Sequence, residues 1–125
     1  MCTCVRVYAR KNTQSSKMTG CEVAGYGKEN TMLEKDIVNK IMKYLKTVPR
    51  SFAWKEHGGM YGTVGILDII ACVDGRFFAF EVKTDTGKTT ALQDATIRKI
   101  LAAGGQAFVV RSVDEVRTAI NGSLQ

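Results

Sequence analysis

No stretch of this sequence runs for about 18 apolar residues, so it encodes no membrane-spanning helix. Its beginning, MCTCVRVYARKNTQSSK, has no apolar core long enough for a secretory signal, and the chain reads as cytoplasmic. The four cysteines (Cys2, Cys4, Cys21 and Cys72) form no CxxC pair and no disulfide-framework spacing. Cys2, Cys4 and Cys21 could supply three zinc ligands, but a fourth has no obvious spacing. Cys72 sits inside an apolar run, where an inert core thiol is expected. His57 is the single histidine, and no Ser or Cys stands in a G-x-S-x-G context, which argues against acyl chemistry. The stretch GKTT, Gly87 to Thr90, is like the end of a phosphate-binding loop, but the position five residues before Gly87 is Val82, not Gly. A nucleotide cofactor is therefore not expected.

The ordinary mix of 45% hydrophobic and 24% charged residues in a chain of 125 suits one soluble domain with one core. The net charge of +6 suggests an acidic partner. Four of the 18 basic residues, Arg6, Arg10, Lys11 and Lys17, fall in residues 1–17 with no acid among them. The rest of the chain then holds 14 basic against 12 acidic residues, so nucleic-acid binding cannot rest on charge alone. Residues 1–17 read equally as a phosphate-seeking arm or as upstream-start sequence ahead of Met18. We set residues 1–28 apart as a basic extension and take 29–125 as the domain.

Organisation begins at Thr31. Leu33, Ile37, Val38, Ile41, Tyr44, Leu45 and Val48 recur at helical spacing until Pro49. A short aromatic strand is expected over Phe52 to His57, and two longer ones over Gly65 to Val73 and Arg76 to Thr84, joined by Asp74-Gly75. TALQDATIRKILAA reads as a second helix closed by Gly104, QAFVVR as a fourth strand, and Ser112 with Glu115 as the capping box of a last helix. The order α-β-β-β-α-β-α, with a central hairpin apolar on both faces, predicts an α/β fold whose sheet is covered by helices on both sides.

Inside that apolar hairpin stand Asp68, Glu81 and Lys83. A two-residue loop at Asp74-Gly75 pairs Val73 with Arg76 and Cys72 with Phe77. Continued outward, the register sets Asp68 opposite Glu81, with Lys83 projecting from the same face. Opposed, partly buried carboxylates repel. A shared proton relieves them, and so does a divalent cation held by hard oxygen ligands. A plain Lys83–Glu81 salt bridge is the simpler alternative, but it leaves Asp68 unexplained. Glu34 shares a helix face with Val38, Ile41 and Leu45, and reads either as an inward functional carboxylate or as the end of a Thr31–Glu34 capping box. Gln93 shares the inward face of the second helix with Ile97 and Ile100.

An inward helix Glu (Glu34), G-x-x-D (Gly65 to Asp68) and E-x-K (Glu81 to Lys83) together resemble the PD-(D/E)XK nuclease superfamily. EVKTDTGKTTALQ and AGGQAFVVRS narrow the resemblance to its VRR-NUC family, in the small stand-alone phage and bacterial type, over roughly residues 29–121. Two positions depart from the pattern. Leu67 stands where a Pro is usual, and Ser112 replaces the last Arg of the Val110-Arg111-Ser112 motif. The resemblance implies a restriction-endonuclease-like αβββαβ(α) core and hydrolysis of phosphodiester bonds in DNA. It implies Mg²⁺ or Mn²⁺ held by Asp68, Glu81 and the Val82 carbonyl, with Glu34 binding a second metal or orienting a metal-bound water. Lys83 would act on the attacking water and the phosphate, braced by Gln93. Lys55, His57, Lys88 and Arg111 are candidate DNA contacts. Small stand-alone relatives further imply a homodimer acting on branched DNA, four-way (Holliday) junctions first. A flap or single-strand-end nuclease, and a non-catalytic nucleic-acid-binding module with an intact metal site, are the alternatives.

Overall fold

The computed structural model describes residues 32–57 and 62–124. The basic extension 1–28, with Cys2, Cys4 and Cys21, lies outside the described residues, as does Thr31. The elements follow the expected order: α1 (Glu34–Leu45), β1 (Ser51–Lys55), β2 (Ile69–Val73), β3 (Arg76–Val82), α2 (Ala91–Ala102), β4 (Gln106–Val110) and α3 (Val113–Ser123). They build an α/β fold around one mixed four-stranded sheet in the order β1-β2-β3-β4. The first two pairings are antiparallel, and β4 runs parallel to β3 after the α2 crossover.

Strand alternation sorts the sheet's side chains onto two faces. Ile69, Ala71, Val73, Phe78, Phe80 and Val82 pack with Ile37, Ile41 and Leu45 of α1 and Val116 and Ile120 of α3. Phe78, Phe80 and Phe108 stack on this face, with ring centroids 6.0 to 6.5 Å apart. The other face is thinner. Ile70, Ala79 and Ala107, joined by Leu67, meet Ile97 and Ile100 of α2. This buried cluster stops at Ile70, and Cys72, one pair nearer the turn, is exposed. Cys72 is therefore not the core thiol that its apolar neighbours suggested, because α2 does not cover its row.

The β2–β3 turn fixes the register. Asp74 and Gly75 have φ values of 50° and 76°, the two positive values that a type I′ hairpin turn requires. Val73 pairs with Arg76 and Ile69 with Phe80, the register expected from the dipeptide. β2 starts at Ile69 rather than Gly65, because the chain turns before it. Gly65 takes φ 78°, and a Cβ there would come within 3.0 Å of the Leu92 side chain and 3.1 Å of the Leu92 carbonyl. A bare backbone lets this loop press on the first turn of α2.

Candidate functional site

The site forms at the end of the hairpin away from its turn, where three strand ends meet the start of α2. Glu81 shares the thin face with Ala79, and α2 closes over it, leaving it 1% exposed. Lys83 follows two residues later, with its ammonium 2.7 Å from Glu81 Oε1. The same oxygen accepts a hydrogen bond from Gln93 Nε2 at 2.5 Å. With both donors on Oε1, Glu81 Oε2 is buried and has no hydrogen-bond partner among the described residues. Asp68, half-buried, stands one residue before β2, and its Oδ2 accepts the Val82 backbone N–H at 2.8 Å.

Local structure explains why Gln93 can reach. Thr90 caps α2 in a reciprocal box, its hydroxyl accepting from Gln93 N–H while Gln93 Oε1 accepts from Thr90 N–H. The amide oxygen is thus spent on the helix start, and the amide nitrogen points at Glu81. The T-x-x-Q pattern at residues 90 to 93 signals this cap in the sequence, beyond the apolar face that Gln93 shares with Ile97 and Ile100.

The electrostatics are those of a crowded anionic site holding one cation. Burial pushes the Glu81 carboxyl above its ordinary value. The Lys83 hydrogen bond and charge oppose this, while the charges of Asp68 and Glu34 add to it. Burial pulls the Lys83 ammonium down. The hydrogen bond from Lys83 to Glu81 and the charges of Glu81, Glu34 and Asp68 outweigh this, so its pKa ends above the ordinary value. Glu34 is exposed on the first turn of α1, yet its charge is felt at both groups. It is not a cap residue. Leu33 is the N-cap and makes no side-chain cap bond, which makes Glu34 the first helical residue, not the third.

The structure brings together Asp68, Glu81, Lys83 and Gln93. Glu34, expected to point inward, is instead exposed on α1 and reaches the group through its charge alone. The four candidate DNA contacts stand in different surroundings. Lys55 points to the α1 face and donates to Asn39 Oδ1. Arg111 donates from Nη1 to the Thr84 carbonyl and from Nη2, at 3.1 Å, to the Gly87 carbonyl. It therefore ties the loop after Lys83 to the end of β4. Lys88, in that loop, and His57, just past β1, are exposed. Ser112 caps α3 as expected, accepting from Glu115 N–H, but the Glu115 carboxylate turns away to accept Arg111 N–H at 2.7 Å.

Among the described residues no three His, Cys, Asp or Glu side chains gather into a group that could hold a metal ion. The Lys83–Glu81 bridge and the Asp68–Val82 bond are also what a purely structural pair would form. Glu81 Oε2 is what that account leaves over. A buried carboxylate oxygen with no donor is costly, and it is the kind of atom that a hard cation satisfies. Mg²⁺ takes one or two carboxylates and keeps several waters, so an Asp–Glu pair fits it without a third ligand. Comparison with protein-family models, curated proteins and solved structures finds no match to this chain.

Proposed function

We propose that this chain is a Mg²⁺- or Mn²⁺-dependent DNA endonuclease of the PD-(D/E)XK type, resembling the VRR-NUC family and its restriction-endonuclease-like core. The observation that carries the reading is the buried Glu81, with Lys83 and Gln93 on one oxygen, the other oxygen unpartnered among the described residues, and Asp68 beside it across the hairpin. An inert core has no reason to keep three charges there, since apolar residues of similar size would cost less.

Asp68, Glu81 and the Val82 carbonyl would hold the divalent cation, which would supply a water of lowered pKa and neutralise charge growing on the phosphate. The chain's own groups do the rest. Gln93 fixes the Glu81 carboxylate in one orientation. Lys83, held charged by its anionic neighbours, presents an ammonium to the attacking water and the phosphate oxygens. Glu34, exposed on the first turn of α1, would serve a second cation or a metal-bound water.

Branched DNA, four-way junctions first, is the proposed substrate, and a homodimer the proposed assembly, since a two-fold axis sets two identical sites on two related strands. Duplex, flap, splayed and four-way-junction DNAs incubated with Mg²⁺ and with Mn²⁺ test the reading. Paired symmetric incisions in the junction are expected. A pure preparation that cuts none of the four with either metal would overturn it.

A further inference from the structure

The thin face of the sheet carries a second feature that the metal site does not use. β1 is an edge strand, and its alternate residues Phe52 and Trp54 stand on the same face as Asp68 and Glu81. Phe52 is 69% exposed and Trp54 40%. Their rings lie 5.7 Å apart, tilted by 44°. The indole is not free to swing, because its Nε1–H donates to Glu56 Oε1 at 2.6 Å. The stripe also leads somewhere. Glu56, the next residue on this face, donates its N–H to the Asp68 carbonyl at 2.8 Å. Glu56 and Asp68 also line a cavity of about 380 Å³ that is closed by the loop before β2 and by Leu92 and Gln93 at the start of α2.

We infer that Phe52 and Trp54 form a stacking platform for unpaired nucleotides of the substrate, feeding the strand toward Asp68. Aromatic rings on an open sheet bind bases through their π faces, with little regard to sequence. Alternate strand positions lie roughly 6.6 Å apart, so two successive splayed bases can each meet a ring. Continuity with the carboxylate site favours a nucleic-acid strand over a second protein copy. So does area, because the uncovered parts of Phe52, Trp54 and the neighbouring Phe77 amount to roughly 300 Å², well under the ~800 Å² that each partner of a stable pair buries. The inference takes its ligand from the nuclease reading above, but its readout does not depend on cleavage.

Trp54 is the single tryptophan of the chain, so its emission reports on the platform directly. The full chain carrying Asp68→Asn is titrated in EDTA with an oligothymidylate and, separately, with a blunt duplex. The single strand is expected to quench Trp54 and the duplex to leave it unchanged. Phe52→Ala should weaken the single strand about tenfold on the same fluorophore. Trp54→Ala should weaken it about as much by anisotropy of a labelled strand, with Trp54→Phe restoring the affinity. Binding of the single strand with unchanged Trp54 emission would overturn the platform, as would equal quenching by duplex. Emission that changes on diluting the protein alone, together with a doubled mass by light scattering, would assign the stripe to contact between copies and overturn it as well. Quenching by single strands in a wild-type protein that cuts no DNA would support the platform and sink only the nuclease reading.

Discussion

The Asp68 carboxylate accepts the backbone N–H of Val82 at 2.8 Å, which ties one strand end to the residue just after Glu81. An asparagine can make that bond through its amide oxygen, so Asp68→Asn removes charge without removing the link. Asp68 also raises the Glu81 pKa, and losing its charge relieves that repulsion. Stability should hold or rise by at most about 1 kcal/mol. Cleavage should fall by more than about a hundredfold, because a proposed metal ligand is gone. Near wild-type turnover in Mg²⁺, with an unchanged melting temperature, would show that the site does not use Asp68.

Glu81 and Lys83 both give up stabilisation as pH rises, but in different pH windows. Folding raises the Glu81 pKa, mainly through burial, so its stabilising contribution is complete below the ordinary 4.5 and is lost as pH rises through the folded value. Folding also raises the Lys83 pKa, so that contribution is complete below the ordinary 10.5 and disappears only in stronger base. A cation on Glu81 competes with the proton. The rise in melting temperature on adding Mn²⁺ should therefore grow as pH climbs above the ordinary 4.5 of a glutamate. A shift that does not change with pH would separate the metal from Glu81.

Lys83→Met leaves a carboxylate that is 1% exposed with the Gln93 amide as its one remaining donor among the described residues. Breaking a buried pair from one side costs about 3 kcal/mol, and Lys83 is itself only 12% exposed. Adding Glu81→Gln should return most of the loss, since no charge is then stranded. Urea melts of the single and double variants measure both. Activity should be lost in each, whereas Mn²⁺ binding should survive in the single variant.

The hairpin was legible because Asp74-Gly75 admits so few turn geometries that the register follows from two residues. That register carries Asp68 to Glu81. Helix order was legible from apolar spacing for the same kind of reason, a period that one backbone geometry alone satisfies. What the spacing could not carry was coverage. Cys72 and Phe77 look like core in a one-dimensional apolar run, and are exposed because the cover of α2 ends at the Ile70 and Ala79 row on the side toward the turn. Long cations were the least legible of all. Lys55 and Arg111 each have enough reach to serve either a phosphate or a nearby oxygen of their own chain, and the choice depends on Asn39, Thr84 and Gly87 arriving beside them.

Arg111 offers the cleanest separation of these two uses. Its guanidinium holds the carbonyls of Thr84 and Gly87, while Lys83 N–H, one residue before Thr84, donates to the Val110 carbonyl at 3.0 Å. The backbone on both sides of the Lys83–Thr84 bond is thus pinned to β4, and the loop it enters leads straight to the Thr90 cap and Gln93. Arg111→Ala should lower kcat with little change in KM, because it loosens Lys83 and Gln93 rather than the grip on DNA. It should cost about 2 kcal/mol of stability, as charged hydrogen bonds are lost. Arg111→Lys, with one compact ammonium in place of a fork, can hold only one of the two carbonyls well and should fall between. A residue that instead grips a phosphate would raise KM uniformly across substrates and make the salt dependence of binding shallower by about one unit of slope. Measuring kcat, KM and the salt slope for both variants decides the matter. A raised KM with a shallower slope and an unchanged kcat would move Arg111 from the scaffold to the DNA interface.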